Sequence, residues 1–393
     1  MPSARPPVVI RFARLGDTVL LQPLLRLLHR RHREPCVLLA LGECAHGLYD
    51  GHPDVGRVIA LRTQSGPLWL HPERLRAVGV LRALRDSPFY VCQNEPRFST
   101  KVLPMLRRAG IPREHCSFIG EMPTVAGEHE IDWLLRFGDR LPPAFLDAAG
   151  AGVVEDVPRA PELPLADGDR IECLDWLGRR GWLGRPLVLL QPSNKRTMRW
   201  NGVRDAADDD KAWPAERWGA LARAIAAQLP GARIVLCGAP AERRHVESIR
   251  AAAGCPQLVS ACGELPLPRM KALLELAHSM VSVDTGPAHL AAAMGCPLVV
   301  MFGARWPSQW TPRSGKGSPV TVLGGLPDVL RVDALSIESV FSAWTSLAWQ
   351  LAASAPLVTS APTGASSIAE WLREIPGAPS SKRRSPPGTR QEP

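Results

Sequence analysis

Residues 281–303 read Val281-Ser-Val-Asp-Thr-Gly-Pro-Ala-His-Leu-Ala-Ala-Ala-Met-Gly-Cys-Pro-Leu-Val-Val-Met-Phe-Gly303. An apolar strand runs into an abrupt Asp284-Thr285-Gly286-Pro287 turn, then a short Ala-rich helix, then a second apolar strand. Pro287 suits the first helical position, where a missing N–H costs nothing. The free N–H groups beside it, with the helix dipole behind them, predict an anion site. Open α/β sheets place phosphates where a strand end delivers a helix N-terminus. The stretch therefore points to an α/β protein that binds a phosphate or a nucleotide.

The rest of the chain repeats this alternation. Val8–Phe12, Cys36–Leu41, Val55–Leu61 and Phe89–Gln93 read as strands, with helices over Thr18–Arg33 and around 73–85 and 99–109. A second series follows, with strands at Leu187–Gln191, Arg233–Gly238 and Leu258–Cys262. Its helices span Pro214–Leu229, Glu242–Ala253 and Leu267–Ala277. Alternating strands and helices predict parallel sheets with helices on both faces. The expected organisation is a first domain over 1–160, a linker over 161–185 with a helix near 168–181, and a second domain over 186–333. A helix over 334–353 and a tail over 354–393 follow. The tail, rich in Pro, Ser and Arg, is expected to stay mostly disordered, with an amphipathic island at Ile368–Ile375. Residues 201–212 read as a surface loop. A cleft between two such domains is a favoured ligand site.

Bulk composition narrows the function. An apolar fraction of 45% over 393 residues is enough for two cores. The net charge of +9 favours nucleotides, anionic lipid surfaces or phosphorylated glycans as partners. With two Tyr and twelve dispersed Trp there is no stacking platform, so nucleic acid is not an expected partner. The nine cysteines show no Cys-x-x-Cys and no metal spacing, so no metal is expected and buried thiols are. No signal peptide and no run of 18 apolar residues stand out, which predicts a cytoplasmic protein.

Four stretches could carry chemistry. In Arg14-Leu15-Gly16-Asp17-Thr18, Gly16 permits a tight turn and Asp17 opens a helix, as an N-cap, a general base, or both. In Lys211-Ala-Trp213-Pro-Ala-Glu-Arg-Trp218, Lys211 either reaches a diphosphate or answers Asp208–Asp210. Lys195, Arg196 and Arg199 are rival cations on the same connection. In Asp284–His289, Thr285 and Gly286 offer amides, and His289 shares the turn as either a packing or a functional residue. In Gly238-Ala-Pro-Ala-Glu242, the carboxylate either accepts a ribose hydroxyl or complements a helix N-terminus. No G-x-G-x-x-G, P-loop or G-x-S-x-G is present.

Together these stretches resemble glycosyltransferase family 9, the ADP-heptose:lipopolysaccharide heptosyltransferases. The matching motifs are Arg-Leu-Gly-Asp17, Lys211-Ala-Trp-Pro-x-x-x-Trp218, Gly238-Ala-Pro-Ala-Glu242, Gly263-Glu-Leu-Pro-Leu267 and Asp284-Thr-Gly-Pro-Ala-His289 through Phe302-Gly303. His129-Glu-Ile-Asp132 is similar to the family's mid-chain pattern. The resemblance runs from about residue 8 to 350. It implies a GT-B fold, two Rossmann-like doubly wound domains facing across a cleft, with the acceptor on the first and the nucleotide sugar on the second. It implies inverting transfer from an ADP-sugar without a metal or other cofactor. Asp17 becomes the general base, and Lys211 the cation on the leaving diphosphate. Gly16, Thr18, Glu242, Leu265, Asp284, Thr285, Gly286, Pro287 and His289 become substrate-binding residues, with Glu242 at the ribose and Leu265 near the base.

Two departures from the family stand out. The connection from Pro192 to Lys211 is longer than usual, and Ala304-Arg305-Trp306-Pro307 replaces a Pro-Thr/Ser-Asp-Pro pattern, which removes an acid. The expected partners are a nucleotide sugar, a lipid-linked or oligosaccharide acceptor and an anionic membrane surface, met peripherally on the inner face. A GT-B-like sugar-nucleotide epimerase and an inactive GT-B-shaped binding module are the alternatives.

Overall fold

The computed structural model describes residues 5–63, 71–146, 156–199, 202–204 and 206–354. The expected tail beyond Ser354, with its Ile368–Ile375 island, lies outside them. Two parallel sheets organise the chain, each with helices on both faces.

The first series runs β1 (Val8–Arg11), α1 (Leu15–Val19), α2 (Gln22–His32), β2 (Cys36–Leu41), α3 (Cys44–Tyr49), β3 (Val55–Leu61) and α4 (Pro72–Ala83). It ends with β4 (Phe89–Val91), α5 (Leu103–Ala109), β5 (Cys116–Phe118) and α6 (Glu130–Gly138). Its sheet has the order β3-β2-β1-β4-β5. The second series opens with α7 (Asp167–Arg179) and β6 (Leu187–Gln191). A short antiparallel pair of β7 (Met198–Arg199) and β8 (Gly202–Val203) follows, and β8 falls inside the 201–212 stretch that the sequence reads as a surface loop. It continues with α8 (Ala215–Gln228), β9 (Arg233–Leu236), α9 (Arg243–Ala253), β10 (Leu258–Ser260), α10 (Leu267–Leu276), β11 (Ser279–Val283), α11 (Gly286–Met294) and β12 (Leu298–Phe302). The last elements are α12 (Pro307–Trp310), β13 (Val320–Gly324) and α13 (Ile337–Ser354). The order of this sheet is β10-β9-β6-β11-β12-β13.

The central strands are buried on both faces, as parallel sheets require, and so read as continuous apolar runs. Edge strands β5 and β13 were not foreseen. The first has three residues, and the second is only half-buried, so neither shows that signature. The predicted helix over Thr18–Arg33 is two helices. The chain bends at Leu20–Leu21, and α2 restarts with Pro23 in its first turn, where a missing N–H is harmless.

Three apolar clusters hold the layers together. One lies between the first sheet and α4 and α5, and another between the second sheet and α8, α9 and α13. The third is continuous from α2 and α6 under the first sheet to α10 and α11 on the second. Both sheets belong to one compact unit that ends at residue 350. No helix among the described residues is long and apolar enough to cross a membrane. All nine cysteines are free thiols, seven of them buried.

Each sheet changes direction once, between β1 and β4 in the first and between β6 and β11 in the second. Ligand crevices form outside the carboxyl ends of strands at such points. The loops after β1, β6 and β11 carry three of the stretches singled out by the sequence.

Candidate functional site

The loops after β1 and β11 meet through two glycines. A Cβ on Gly286 would lie 3.0 Å from Leu15 Cβ and 3.1 Å from Gly16 N, and one on Gly16 would lie 3.3 Å from Gly286 Cα. Only residues without side chains let α1 and α11 approach this closely. The contact joins the two sheets and places Asp17 and the start of α11 on one cavity.

That cavity, about 340 Å³, is lined by Asp17, Lys211, Asp284, Thr285, Gly286 and His289, with Arg14, Asn194, Lys195, Arg196, Arg305 and Trp310 completing it. It abuts a more apolar pocket of about 540 Å³ that includes Glu242, Leu265, Leu267 and Met270, with Leu15, Asn194, Lys195, Thr285 and Pro287 common to both. Gly16 and Pro287 also line the first cavity. Of the predicted site residues only Thr18 stays outside. Its side chain is buried and donates to the Arg14 carbonyl oxygen at 2.8 Å.

Asp17 is not the N-cap that the sequence suggested. Arg14 holds that position, and Asp17, three residues on, accepts the Arg14 backbone N–H at 3.4 Å. A carboxylate in the first turn satisfies an orphan donor and leaves lone pairs for other work. The side chain is half-buried and borders the cavity.

In α11, Thr285 is the N-cap, in extended conformation, and Gly286 is the first helical residue. Pro287 therefore occupies the second position, one later than predicted. It has no N–H, and the Ala288 N–H folds back on the Thr285 oxygen at 3.0 Å. Gly286, at the first helical position, where the N–H has no partner inside the helix, lines the cavity at the positive end of the dipole.

Lys211 does not answer Asp208–Asp210. Its ammonium lies 2.5 Å from Asp284 Oδ2 and 2.8 Å from the Asp284 carbonyl oxygen. The neighbouring acids are otherwise engaged. Asp209 accepts from Asn194 Nδ2 at 2.8 Å, and Asp210 from Arg196 at 2.6 Å and from the Ala304 N–H at 2.9 Å. An ammonium has three donors, so two are spent on Asp284 and one is left. Of the rival cations, Arg196 is paired, and the Arg199 side chain lies outside the described residues. Lys195 is exposed and has no acidic partner among the described residues. Arg14, then burial, then Arg97 push its pKa below the ordinary lysine value.

His289 is buried, with Nε2 4.0 Å from Asp284 Oδ1 and Nδ1 without a hydrogen-bond partner. Burial lowers its pKa against the pull of Asp284 and Asp17, so the ring is neutral at neutral pH. Glu242 accepts the Ala239 N–H at 2.7 Å, so it does complement a helix start. Burial raises its pKa, with that N–H opposing, and the residue also lines the apolar pocket. Asn194 and Trp310 join the cavity without a sequence signal, and Arg14 joins it from a stretch singled out for Gly16 and Asp17. Trp310 sits on four-residue α12, and its relation to Asp17 exists only in the fold.

Chemically, the two pockets offer an apolar slot with a carboxylate, a cationic and amide-lined centre, and the Asp17 carboxylate, which accepts one backbone N–H and has lone pairs left. No group of three or more metal-ligating side chains occurs among the described residues.

Residues 164–324 match the family model described as glycosyltransferase family 9 (heptosyltransferase). Lipopolysaccharide heptosyltransferase 2 of Escherichia coli (strain K12) is 24% identical over 331 residues, 81% of this chain and 89% of that protein. Lipopolysaccharide heptosyltransferase 3 of Escherichia coli is 28% identical over 134 residues, and the chain spans only 35% of that protein's length in the match. The solved E. coli ADP-heptose lps heptosyltransferase II superposes with a TM-score of 0.65 at 20% identity, covering 88% of this chain and 99% of that one. E. coli heptosyltransferase WaaC with ADP does so with a TM-score of 0.55 at 18% identity, covering 87% and 99%. These likenesses establish the GT-B fold, two parallel-sheet halves facing across the cleft.

Proposed function

From the match of residues 164–324 to glycosyltransferase family 9 (heptosyltransferase), we propose that this chain transfers a heptose or related sugar from an ADP-sugar, with inversion, to a lipopolysaccharide core or other bacterial glycan. The observation that carries this reading is the shared cavity, lined by Asp17 of α1 beside the first sheet and by Lys211 and the α11 start beside the second. The ADP-bound E. coli relative supports an adenine nucleotide as donor. Nothing in the cavity favours an epimerase, and the intact Asp17 and Lys211 speak against an inactive module.

In the proposed reaction an acceptor hydroxyl attacks the anomeric carbon while Asp17 takes its proton. The new C–O bond forms as the bond to the diphosphate breaks, and the electron pair leaves with the diphosphate. Positioned proton transfer of this kind contributes roughly 10²–10⁴-fold. The third Lys211 proton and the Gly286 amide meet the charge that develops on the leaving group, usually the largest catalytic term. The apolar pocket takes the nucleoside, with Leu265 against the base and the second oxygen of Glu242 free for a ribose hydroxyl. Asp284 holds Lys211 in place, and no metal is invoked. The basic surface would keep the enzyme at an anionic membrane face.

The test is calorimetric binding of ADP, UDP, GDP and ADP-heptose without added metal, followed by product analysis with lipid-linked acceptors. Preference for ADP and ADP-heptose is expected. Preference for UDP would move the donor to another sugar, and turnover without acceptor would revive the epimerase. Cosedimentation with anionic liposomes at low salt tests the membrane seat, and protein left in the supernatant would remove it.

A further inference from the structure

The motif His129-Glu130-Ile131-Asp132 opens α6 and lines neither pocket, yet three of its side chains make buried or forked polar contacts with distant parts of the fold. Glu130 binds Arg11 at 2.6 Å, with both side chains about nine-tenths buried. Arg11 ends β1, at the root of the loop that carries Asp17, and feels the Asp17 charge. One residue earlier, His129 caps α6 by accepting the Ile131 N–H on Nδ1 at 3.1 Å. With Nδ1 an acceptor, Nε2 carries the proton and donates to the Thr311 carbonyl oxygen at 2.9 Å. Thr311 directly follows Trp310 of the cavity wall.

Asp132 makes a forked pair with Arg313, at 3.1 Å and 2.8 Å, and takes Arg159 of the connecting segment at 3.1 Å. Ile131 is wholly buried and fixes the turn in the core. Four consecutive residues thus hold the base-bearing loop of the first sheet, the chain between the sheets and the donor-side wall of the second. Paired forks of this kind fix geometry as well as adding energy.

We infer that the His129–Asp132 turn is a positioning device that sets Asp17 against the donor-side wall at Arg305–Trp310. This rests on the proposed transfer reaction only for its catalytic consequence; the mechanical linkage stands without it. Asp132 is the node, because its carboxylate takes both Arg313 of the chain before β13 and Arg159 of the connecting segment, and Arg313 in turn donates to the Arg159 carbonyl oxygen at 3.2 Å.

Amide hydrogen exchange on the ligand-free protein tests the linkage directly. In D132N and R313Q, exchange should rise about tenfold over residues 9–19 and 303–313 together, leaving the central strands unchanged. R313K, which keeps the charge but cannot form the fork, should restore only part of the protection, and R159Q should cost less than either. Changes confined to residues beside the substitution would overturn the proposal. Should D132N fail to fold, R313Q decides alone, since its side chain is partly exposed.

The catalytic arm measures ADP release from ADP-heptose beside ADP affinity. Turnover should fall about tenfold with ADP affinity held within about twofold. A parallel loss of both would show general destabilisation and refute positioning. A wild-type protein that binds no ADP would remove the proposed reaction, and hydrogen exchange would still decide the linkage.

Discussion

Lys211 Nζ lies 2.5 Å from the Asp284 carboxylate and 2.8 Å from the same residue's carbonyl oxygen, so one acid at the end of β11 orients the cation that faces the start of α11. The two side chains are 14% and 10% exposed. Removing the ammonium would strand a carboxylate away from water. Lys211→Gln is therefore expected to lower thermal stability and to weaken ADP binding by about 10–100-fold, the worth of a charge-assisted hydrogen bond of about 1.5–3 kcal/mol. Calorimetry on this variant and on Lys195→Gln decides which cation serves the diphosphate. A loss of affinity in Lys195→Gln alone would transfer the role to Lys195.

Asp17→Asn retains an oxygen for the Arg14 N–H and so keeps the helix start. It cannot take a proton. Turnover is expected to drop about 10²–10⁴-fold with ADP affinity nearly unchanged, measured by product formation beside calorimetry. Wild-type turnover in this variant would mean that the base is another group.

Gly286→Ala would press a methyl against Leu15 Cβ and the Gly16 backbone, at 3.0 Å and 3.1 Å. A backbone cannot yield as a flexible side chain can, so about 1–3 kcal/mol of destabilisation is expected in urea unfolding. Gly79, exposed within α4 with nothing inside 4 Å of an added Cβ, is the contrasting case. Gly79→Ala should stabilise by about 0.5–1 kcal/mol through helix propensity. A neutral Gly286→Ala would refute the tight contact between α1 and α11.

Burial pushes His129 down to about 4, with Thr311 and Asp132 pulling weakly upward, and burial with Arg31 does the same to His32. Between about pH 6.5 and 4 the unfolded chain binds protons at these rings that the folded chain refuses. Stability should therefore be complete above pH 6.5 and decline as the pH falls towards 4. Urea midpoints across that range check this, and His129→Asn should flatten the decline, since Asn can still cap α6. An unchanged slope would mean that the His129 ring titrates normally.

Much of the fold is legible because burial on both faces of a parallel strand imposes an apolar run that no other element needs. β1, β2, β6, β11 and β12 are readable for that reason, and the motifs follow because each occupies a strand end with special backbone demands. β5 and β13 escape because short or half-buried edge strands lose that constraint. Helix-start positions slip by one to three residues at Asp17 and Pro287, since several cap arrangements satisfy the same orphan N–H groups.

Local sequence thus determined the alternation of strands and helices, the glycine-bearing turns and the residue types suited to a diphosphate. The tertiary structure decided which of them act together. Lys211 chooses Asp284 over the three acids that precede it, and Thr18 turns away from the cavity. Asp132 reaches Arg313, 181 residues along the chain. The physical reason is range: backbone preference is set by near neighbours, whereas a charge pairs with whatever folding brings within a few ångströms.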